Sequence, residues 1–91
     1  MRNFHISERL QEILRKLSKK DKSLYEQVLK KIDDVRNSYD IEHYKNLRHD
    51  MKDSKRVQIG HFVLIFKYDK QKDEVYFDDF DHHDNVYSKR T

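Results

Sequence analysis

The spacing of the apolar residues changes part-way along this chain and limits the folds open to it. In residues 7–39, apolar side chains recur at intervals of three and four, which is the spacing of one face of an α-helix. In residues 55–80 they alternate with polar residues or run together, as in β-strands. Isolated amphipathic helices are marginal in water, so their apolar faces must pack against the strands. The two patterns together predict an α+β fold.

Two apolar stripes predict two consecutive helices. Ser7 stands at an N-cap position, where a serine side chain can accept a hydrogen bond from the first turn of a helix. The first stripe consists of Leu10, Ile13, Leu14 and Leu17, and the second of Leu24, Val28, Ile32 and Val35. The polar residues 18–21 leave room for only a short connection, which predicts an antiparallel helix hairpin. Before it, the alternating residues of Arg2–Ile6 predict a short first strand.

Three further strands are predicted in the second half of the chain. Polar and apolar residues alternate in 56–59, and Gly60, the only glycine, lies where a positive φ lets the chain reverse. Phe62–Phe66 is continuously apolar, as in a central strand covered on both faces. A charged turn, Asp69–Asp73, separates it from a last strand, Glu74–Phe80.

The resulting layout is β-α-α-β-β-β with a short C-terminal helical turn near Asp84–Lys89. In this layout the N-terminal helix hairpin packs on a small antiparallel sheet. The polar segment Asp40–Ser54 is expected to be irregular, with some extended chain around Tyr44 and Leu47. No boundary or repeat interrupts the sequence, so residues 1–91 are expected to form a single domain.

The charge is unevenly divided along the chain. Residues 1–60 contain 15 Lys/Arg against 10 Asp/Glu, a balance of +5, whereas residues 61–91 contain 5 against 7, a balance of −2. This division predicts basic and acidic faces rather than a uniformly basic nucleic-acid coat. No apolar run reaches transmembrane length and cysteine is absent, so we expect a cytoplasmic protein that does not enter a membrane.

The segment Asp81–Tyr87 carries the strongest chemical signal. RNA cleavage by its own 2′-hydroxyl needs a base for the hydroxyl proton and an acid for the leaving 5′-oxygen, and imidazoles suit both roles near neutral pH. His82 and His83 are therefore candidate catalytic residues. Adjacent side chains on a strand point to opposite faces, so only one of the two is expected beside the reacting phosphate. The same pair also fits surface histidines satisfied by Asp81 and Asp84.

Cations suited to a phosphate-bearing substrate lie upstream of this segment. The candidate RNA- or phosphate-binding residues are Lys45, Arg48, Lys52 and Lys55. Arg56 alternates with Val57, so we expect it on the sheet face away from the helices, where it binds a phosphate or pairs with a strand aspartate. Tyr87 is a candidate either to stack on a base or donate to a phosphate, or to anchor the C-terminus on the sheet. Arg56 and Tyr87 complete the expected catalytic set.

No metal or other cofactor is expected. Adjacent positions diverge on a strand and differ by about 100° on a helix, so the run from Asp81 to Asp84 does not form a chelate. His43 and His49 would reach this run only through the tertiary fold, and they are secondary candidates for the chemistry. The expected reaction is metal-independent acid–base cleavage of RNA.

With these motifs in order, the chain resembles the RelE/ParE toxin superfamily of toxin–antitoxin systems. The shared pattern is a basic segment, a strand of the form R-x-x-x-G-x-[YF], a turn, a strand, and an ending of the form H-R-x-x-x-Y. Here the first strand runs from Arg56 through Gly60 to Phe66, and the ending runs from His82 to Tyr87. The helix hairpin matches as well, so the resemblance covers essentially the whole chain.

The resemblance implies a small toxin with a RelE-like fold. Such a toxin is usually a ribosome-dependent mRNA endonuclease that inhibits translation, and it is neutralised by an antitoxin that wraps around it. The implied partners are therefore a cognate antitoxin, in a toxin–antitoxin hetero-oligomer, together with mRNA and the ribosome.

Two departures from the family pattern leave a second function open. Val63 stands where RNA-cleaving relatives often carry an arginine on the central strand, and His83 replaces the arginine of the ending. The alternative is a non-nucleolytic interaction module, either a ParE-like inhibitor of DNA gyrase or an inactive homologue that only binds an antitoxin. The basic segment and the imidazole pair favour RNA cleavage.

Overall fold

The computed structural model describes residues 2–48 and 51–88, apart from the side chains of residues 48, 51, 52 and 88. Within these residues the elements follow in the order β1 (Asn3–Ile6), α1 (Glu8–Lys20), α2 (Lys22–Arg36), a 3-10 helix (Ile41–His43), β2 (Asn46–Arg48), β3 (Met51–Ile59), β4 (Phe62–Asp69), β5 (Glu74–His82) and α3 (His83–Ser88). Along the chain, the helix hairpin comes after the first strand and before the other strands of the sheet, as the sequence predicts. The described helices include none that is long and apolar enough to cross a membrane.

Side-chain caps set the limits of the two long helices. The Ser7 hydroxyl oxygen accepts a hydrogen bond from the Leu10 N–H at 3.0 Å, which begins α1 as predicted. Asp21 ends α1, because its N–H donates to the Leu17 carbonyl at 2.9 Å. The Asp21 carboxylate then accepts from the Leu24 N–H at 3.1 Å and begins α2. One residue thus turns the chain, and the two helices form a tight hairpin.

The five strands form one sheet in the order β1-β5-β4-β3-β2. The central strand β4 is antiparallel to both β3 and β5, and β2 is antiparallel to β3 at one edge. Gly60 makes the turn between β3 and β4 with a φ of 61°, a conformation that favours glycine. The predicted central position of Phe62–Phe66 is confirmed.

The sheet differs from the predicted one in three details. It is mixed rather than antiparallel, since β1 pairs in parallel with β5 at the second edge. It also has an extra strand, β2, and β3 begins at Met51 rather than near residue 56. The segment Asp40–Ser54 is more regular than its polar sequence predicts: Ile41–His43 forms the 3-10 helix, and the extended chain expected around Leu47 is β2. Main-chain bonds such as that from the Arg56 N–H to the Lys45 carbonyl, at 2.9 Å, hold this part at the sheet edge.

The C-terminal helix begins one residue earlier than the predicted turn Asp84–Lys89, at His83, and Lys89 lies outside the described residues. The His83 N–H donates to the His61 carbonyl at 2.8 Å, so a main-chain bond fixes the point where β5 becomes α3. The Asn85 side-chain amide donates to Asp81 Oδ1 at 3.0 Å and holds the first turn of α3 against β5.

One face of the sheet packs on the helix hairpin and the other is partly covered by α3. The buried cluster beneath the hairpin joins residues of all the long elements, namely Leu10, Leu14, Val28, Ile32, Val35, Ile41, Ile59, Leu64, Phe66, Val75, Phe77 and Phe80. Val63 is also buried but lies outside this cluster, on the opposite face. It pairs with Asp81, to which α3 is bonded, so α3 supplies the second cover.

A bulge interrupts β5 where it passes the start of α1. Ile65 pairs with Asp79 and Phe66 pairs with Phe77, which leaves Asp78 as the extra residue. Partial burial raises the pKa of Asp78 above that of an ordinary aspartate; the cation of Lys67, at 3.8 Å, acts in the opposite direction, and the Asp79 carboxylate adds to the rise.

Replacing Ser7 by alanine should destabilise the protein by about 1–2 kcal/mol, because it removes two hydrogen bonds. Besides capping α1, the Ser7 hydroxyl donates to the Asp78 carbonyl at 2.6 Å, so it ties the helix to β5. Urea unfolding followed by circular dichroism measures the change. The control is Ser23→Ala on the exposed surface of α2; an equal loss in both variants would contradict the role given to Ser7.

Asp78→Asn should raise the free energy of unfolding at pH 7, because it removes a charge that is costly to bury. Since the folded-state pKa of Asp78 is raised, the wild type binds its proton more tightly when folded. The wild type is therefore favoured below the ordinary aspartate pKa, of about 3.9, and loses that advantage as the pH rises through the folded-state value. The gain from the substitution should shrink between pH 7 and pH 3. An advantage of equal size at both values would refute the burial argument.

Candidate functional site

The predicted catalytic residues meet at one corner of the sheet. This corner is formed by the turn between β3 and β4, the end of β5 and the first turn of α3. The bond from His83 N–H to the His61 carbonyl joins these three pieces directly. The side chains at the corner therefore project from main chain whose positions are set by the sheet.

His82 lies at the last position of β5, with its side chain 40% exposed. Its Nδ1 accepts a hydrogen bond from the Asp84 N–H at 3.1 Å, so the neutral ring carries its proton on Nε2. The ring stacks on His61, with 6.1 Å between centroids and 15° between planes. It also makes an edge-to-face contact with Phe62, with 5.4 Å between centroids. His82 is thus oriented on three sides while it still reaches solvent.

His83 packs on a different partner. Its ring lies 4.6 Å from the ring of Tyr87, one turn further along α3, and its side chain is 48% exposed. The two oxygens of the Asp84 carboxylate each lie 3.8 Å from an Nδ1 atom, one from His82 and the other from His83. An exposed carboxylate therefore lies between the two imidazoles, within ion-pair distance of both.

Arg56 and Tyr87 are brought together on the same side as His83. The Arg56 guanidinium lies 6.0 Å from the centre of the Tyr87 ring, and its Nε donates to the Asn46 carbonyl at 3.2 Å. Arg56 thus lies on the sheet face away from the helix hairpin, where the sequence predicts it. The Tyr87 hydroxyl oxygen is buried and has no hydrogen-bond partner among the described residues. Tyr87 therefore anchors α3 on the sheet through its ring, which contacts both His83 and Arg56.

The predicted phosphate-binding lysines lie along β2 and β3. Lys55 Nζ donates to the Tyr44 carbonyl at 3.2 Å and to Asn46 Oδ1 at 3.4 Å, so it is held against the chain at β2, on the sheet face opposite to the Arg56 side chain. Lys45 is exposed at the start of β2. Arg48 lies on β2 and Lys52 on β3, but their side chains lie outside the described part of the structure.

His43, one of the two secondary candidates, does not join this corner. His43 belongs to the 3-10 helix, where its Nδ1 contacts the Asp40 carbonyl and its ring lies 4.1 Å from that of Tyr44. His49 lies outside the described residues. In residues 2–48 and 51–88, no three histidine or acidic side chains are grouped to hold a metal ion.

The charges on the two sides of the corner differ in sign. Strand β3 carries Lys55 and Arg56, whereas β5 carries Asp78, Asp79 and Asp81. Arg9, on α1, donates to Asp79 Oδ1 at 3.0 Å, and this bond raises the pKa of Arg9. A polyanion therefore finds an attractive approach along β2 and β3 and a repulsive one along β5.

His61 is a residue of this corner that the sequence pattern does not predict. The residue follows Gly60 in the turn, and only the pairing of β4 with β5 brings it beside His82. Part of this arrangement follows from the predicted strands. A turn at Gly60 and a following strand that ends at His82 place His61 and His82 at the same end of the sheet.

Comparisons with known proteins agree with this fold. No protein-family model matches the chain. A Methanocaldococcus jannaschii protein named "Putative toxin RelE4" is 46% identical over 91 residues, which cover 99% of this chain and 95% of that protein. An uncharacterized protein of Methanosarcina mazei is 42% identical over 73 residues, 79% of this chain and 83% of its own length.

Two solved structures share the architecture. The isolated E. coli RelE toxin superposes with a TM-score of 0.71 at 24% identity, covering 98% of this chain and 94% of its own. The toxin of the intact E. coli RelBE toxin–antitoxin complex gives 0.72 at 23% identity, with 90% and 96% covered. The superposition on these two structures shows a common fold. The 46% identity to RelE4 over nearly the full length of the chain shows the family. The chain belongs to the RelE family of toxins from toxin–antitoxin systems.

Proposed function

We propose that this toxin cleaves mRNA on the ribosome by metal-independent acid–base catalysis and so inhibits translation. The observation that carries the proposal is the corner itself, where His82 adjoins His83, the His83 ring lies beside Tyr87, and Tyr87 in turn lies beside Arg56 of β3. Proton-transfer groups and phosphate-binding cations are the two requirements of the reaction, and here they adjoin on a main-chain framework.

The reaction needs no group beyond the RNA and the protein. A neutral imidazole takes the proton of a 2′-hydroxyl, the 2′-oxygen bonds to the adjacent phosphorus, and the bond from phosphorus to the 5′-oxygen breaks. A protonated imidazole gives its proton to that leaving oxygen, so the products are a 2′,3′-cyclic phosphate and a 5′-hydroxyl. Arg56, with the lysines of β2 and β3, offsets the negative charge that develops on the phosphate.

The partner that we propose is a cognate antitoxin, in a toxin–antitoxin hetero-oligomer. The E. coli toxin of the same fold has been solved in such a complex. An antitoxin with acidic residues would complement the basic balance of residues 1–60 and associate faster at low salt. Since translating ribosomes are the target, the toxin would act in the cytoplasm.

A second function is favoured by the central strand. Val63 is 1% exposed beneath α3, so this position supplies no charge to a phosphate. A toxin that relies on binding alone, either a ParE-like gyrase inhibitor or an inactive homologue that only binds its antitoxin, would show no RNA cleavage with or without translating ribosomes. That result would select this function over the first.

Alanine at His82 and His83 together should lower cleavage by about 10²–10⁴-fold, because the double variant lacks proton-transfer groups at the end of β5. Primer extension on an mRNA in a translation extract locates the cuts and measures their rate. His5→Ala is the matched control. His5 lies on the edge strand β1, away from the corner, and its ring stacks on that of Tyr76 with 4.8 Å between centroids. Unchanged cleavage by a correctly folded double variant would remove the imidazoles from the mechanism.

Replacing Lys45 and Lys55 by glutamine should weaken binding to ribosomes and flatten its dependence on salt. Each lost phosphate contact should lower the slope of log K against log salt by about 1. Filter binding at several salt concentrations gives the slope. Lys30→Gln, on the exposed surface of α2, is the control and should leave the slope unaltered. Equal slopes for all the proteins would show that β2 and β3 do not contact RNA.

A further inference from the structure

We propose that His61 is a catalytic residue, the general base of the cleavage reaction, and that His82 is its general acid. This inference rests on the proposed function and deepens it, because the reaction needs two proton-transfer groups and the sequence pattern offers only the adjacent pair His82 and His83. The structure gives His82 a different neighbour. His61 projects from the turn between β3 and β4 and His82 from the end of β5, and their rings stack nearly parallel, with centroids 6.1 Å apart.

The spacing of this pair suits the geometry of the reaction. The attacking 2′-oxygen and the leaving 5′-oxygen lie on opposite sides of one phosphorus atom, so acid and base must be separate groups that face the same phosphate. Two rings separated by 6.1 Å leave room for each to reach a different oxygen. His83 does not offer this arrangement, because its ring packs against Tyr87 instead.

Hydrogen bonding distinguishes the roles of the two rings. His82 Nδ1 accepts from the Asp84 N–H at 3.1 Å, so the ring presents Nε2–H outward, as a proton donor must. In the protonated ring Nδ1 carries a hydrogen and can no longer accept from the Asp84 N–H, so the Asp84 carboxylate, 3.8 Å from Nδ1, becomes its partner. The His61 ring makes no hydrogen bond to any residue that the structure describes, so a ring nitrogen is free to accept a proton from substrate.

The charges that face this pair come from β5, α1 and α3. Asp81 Oδ1 accepts from the His82 N–H at 2.7 Å, and Asp84 and His83 flank His82 on α3. Arg9 of α1 binds Asp79 and lies within electrostatic range of Asp81. Among the described residues, a carboxylate therefore lies within ion-pair distance of the His82 ring but not of the His61 ring.

The balance of protons closes within the pair. His61 removes the 2′-hydroxyl proton as the 2′-oxygen bonds to phosphorus, and His82 delivers its proton to the 5′-oxygen as that bond breaks. After one turnover His61 is protonated and His82 neutral, and exchange with water restores both.

A substrate with sulfur in place of the leaving 5′-oxygen tests the assignment. A thiolate leaves without protonation, so this linkage removes the need for an acid and leaves the need for a base. Cleavage of the ordinary codon should fall about 10²–10⁴-fold in both His61→Ala and His82→Ala. With the thio linkage, His82→Ala should recover to near the wild-type rate, whereas His61→Ala should remain slow.

The pH dependence of single-turnover cleavage supplies a second readout. The wild type should show a bell-shaped profile, and His61→Ala should lose the limb on which the rate rises with pH. His61→Gln, which keeps a polar side chain at this exposed turn, should behave like His61→Ala, and circular dichroism should show both variants folded.

The outcomes separate the two levels of the proposal. A wild type that cleaves neither substrate overturns the proposed function and the His61 assignment with it. Cleavage that survives in His61→Ala, or a base defect found in His83→Ala instead, overturns only the assignment. Recovery of His61→Ala on the thio linkage would reverse the two roles and contradict the inference as stated.

Discussion

The junction between α1 and β5 is the contact on which the arrangement of this molecule depends. Ser7 caps α1, its N–H donates to the Phe77 carbonyl at 2.9 Å, and its hydroxyl donates to the Asp78 carbonyl at 2.6 Å. These bonds fix the helix hairpin relative to the strand that carries the site. They also end the pairing of β1 with β5, so the last residues of β5 run on toward α3 beside only one strand.

The sequence predicts those parts of the fold whose signal is local. The caps Ser7 and Asp21 and the two apolar stripes define the hairpin, and the apolar run of β4 identifies the centre of the sheet. Strand β2 and the start of β3 are not predicted, because their side chains are mostly polar and show no alternation of polar and apolar residues. Main-chain hydrogen bonds pair these strands instead. The parallel pairing of β1 with β5 joins residues more than 60 positions apart, and no short pattern encodes it.

The candidate site divides in the same way. Histidine, tyrosine and arginine at positions 82, 83, 87 and 56 can be selected from residue type and motif spacing, and Arg56, Tyr87 and His83 do adjoin. Which imidazole faces which cannot be read from spacing, because it depends on where a turn and a strand end meet. The sequence pattern therefore does not identify His61, although its ring stacks on that of His82.

The hydrogen bond from the His83 N–H to the His61 carbonyl uses no side-chain atom. It follows that the corner contains a main-chain socket, whose closing bond does not depend on the side chains at positions 61 and 83. Such a socket separates the evolution of chemistry from the evolution of folding, since imidazoles can be exchanged for other groups there without rebuilding the sheet. A chain built this way can change its reactive groups, or lose them and keep only its binding surface, at little cost in stability.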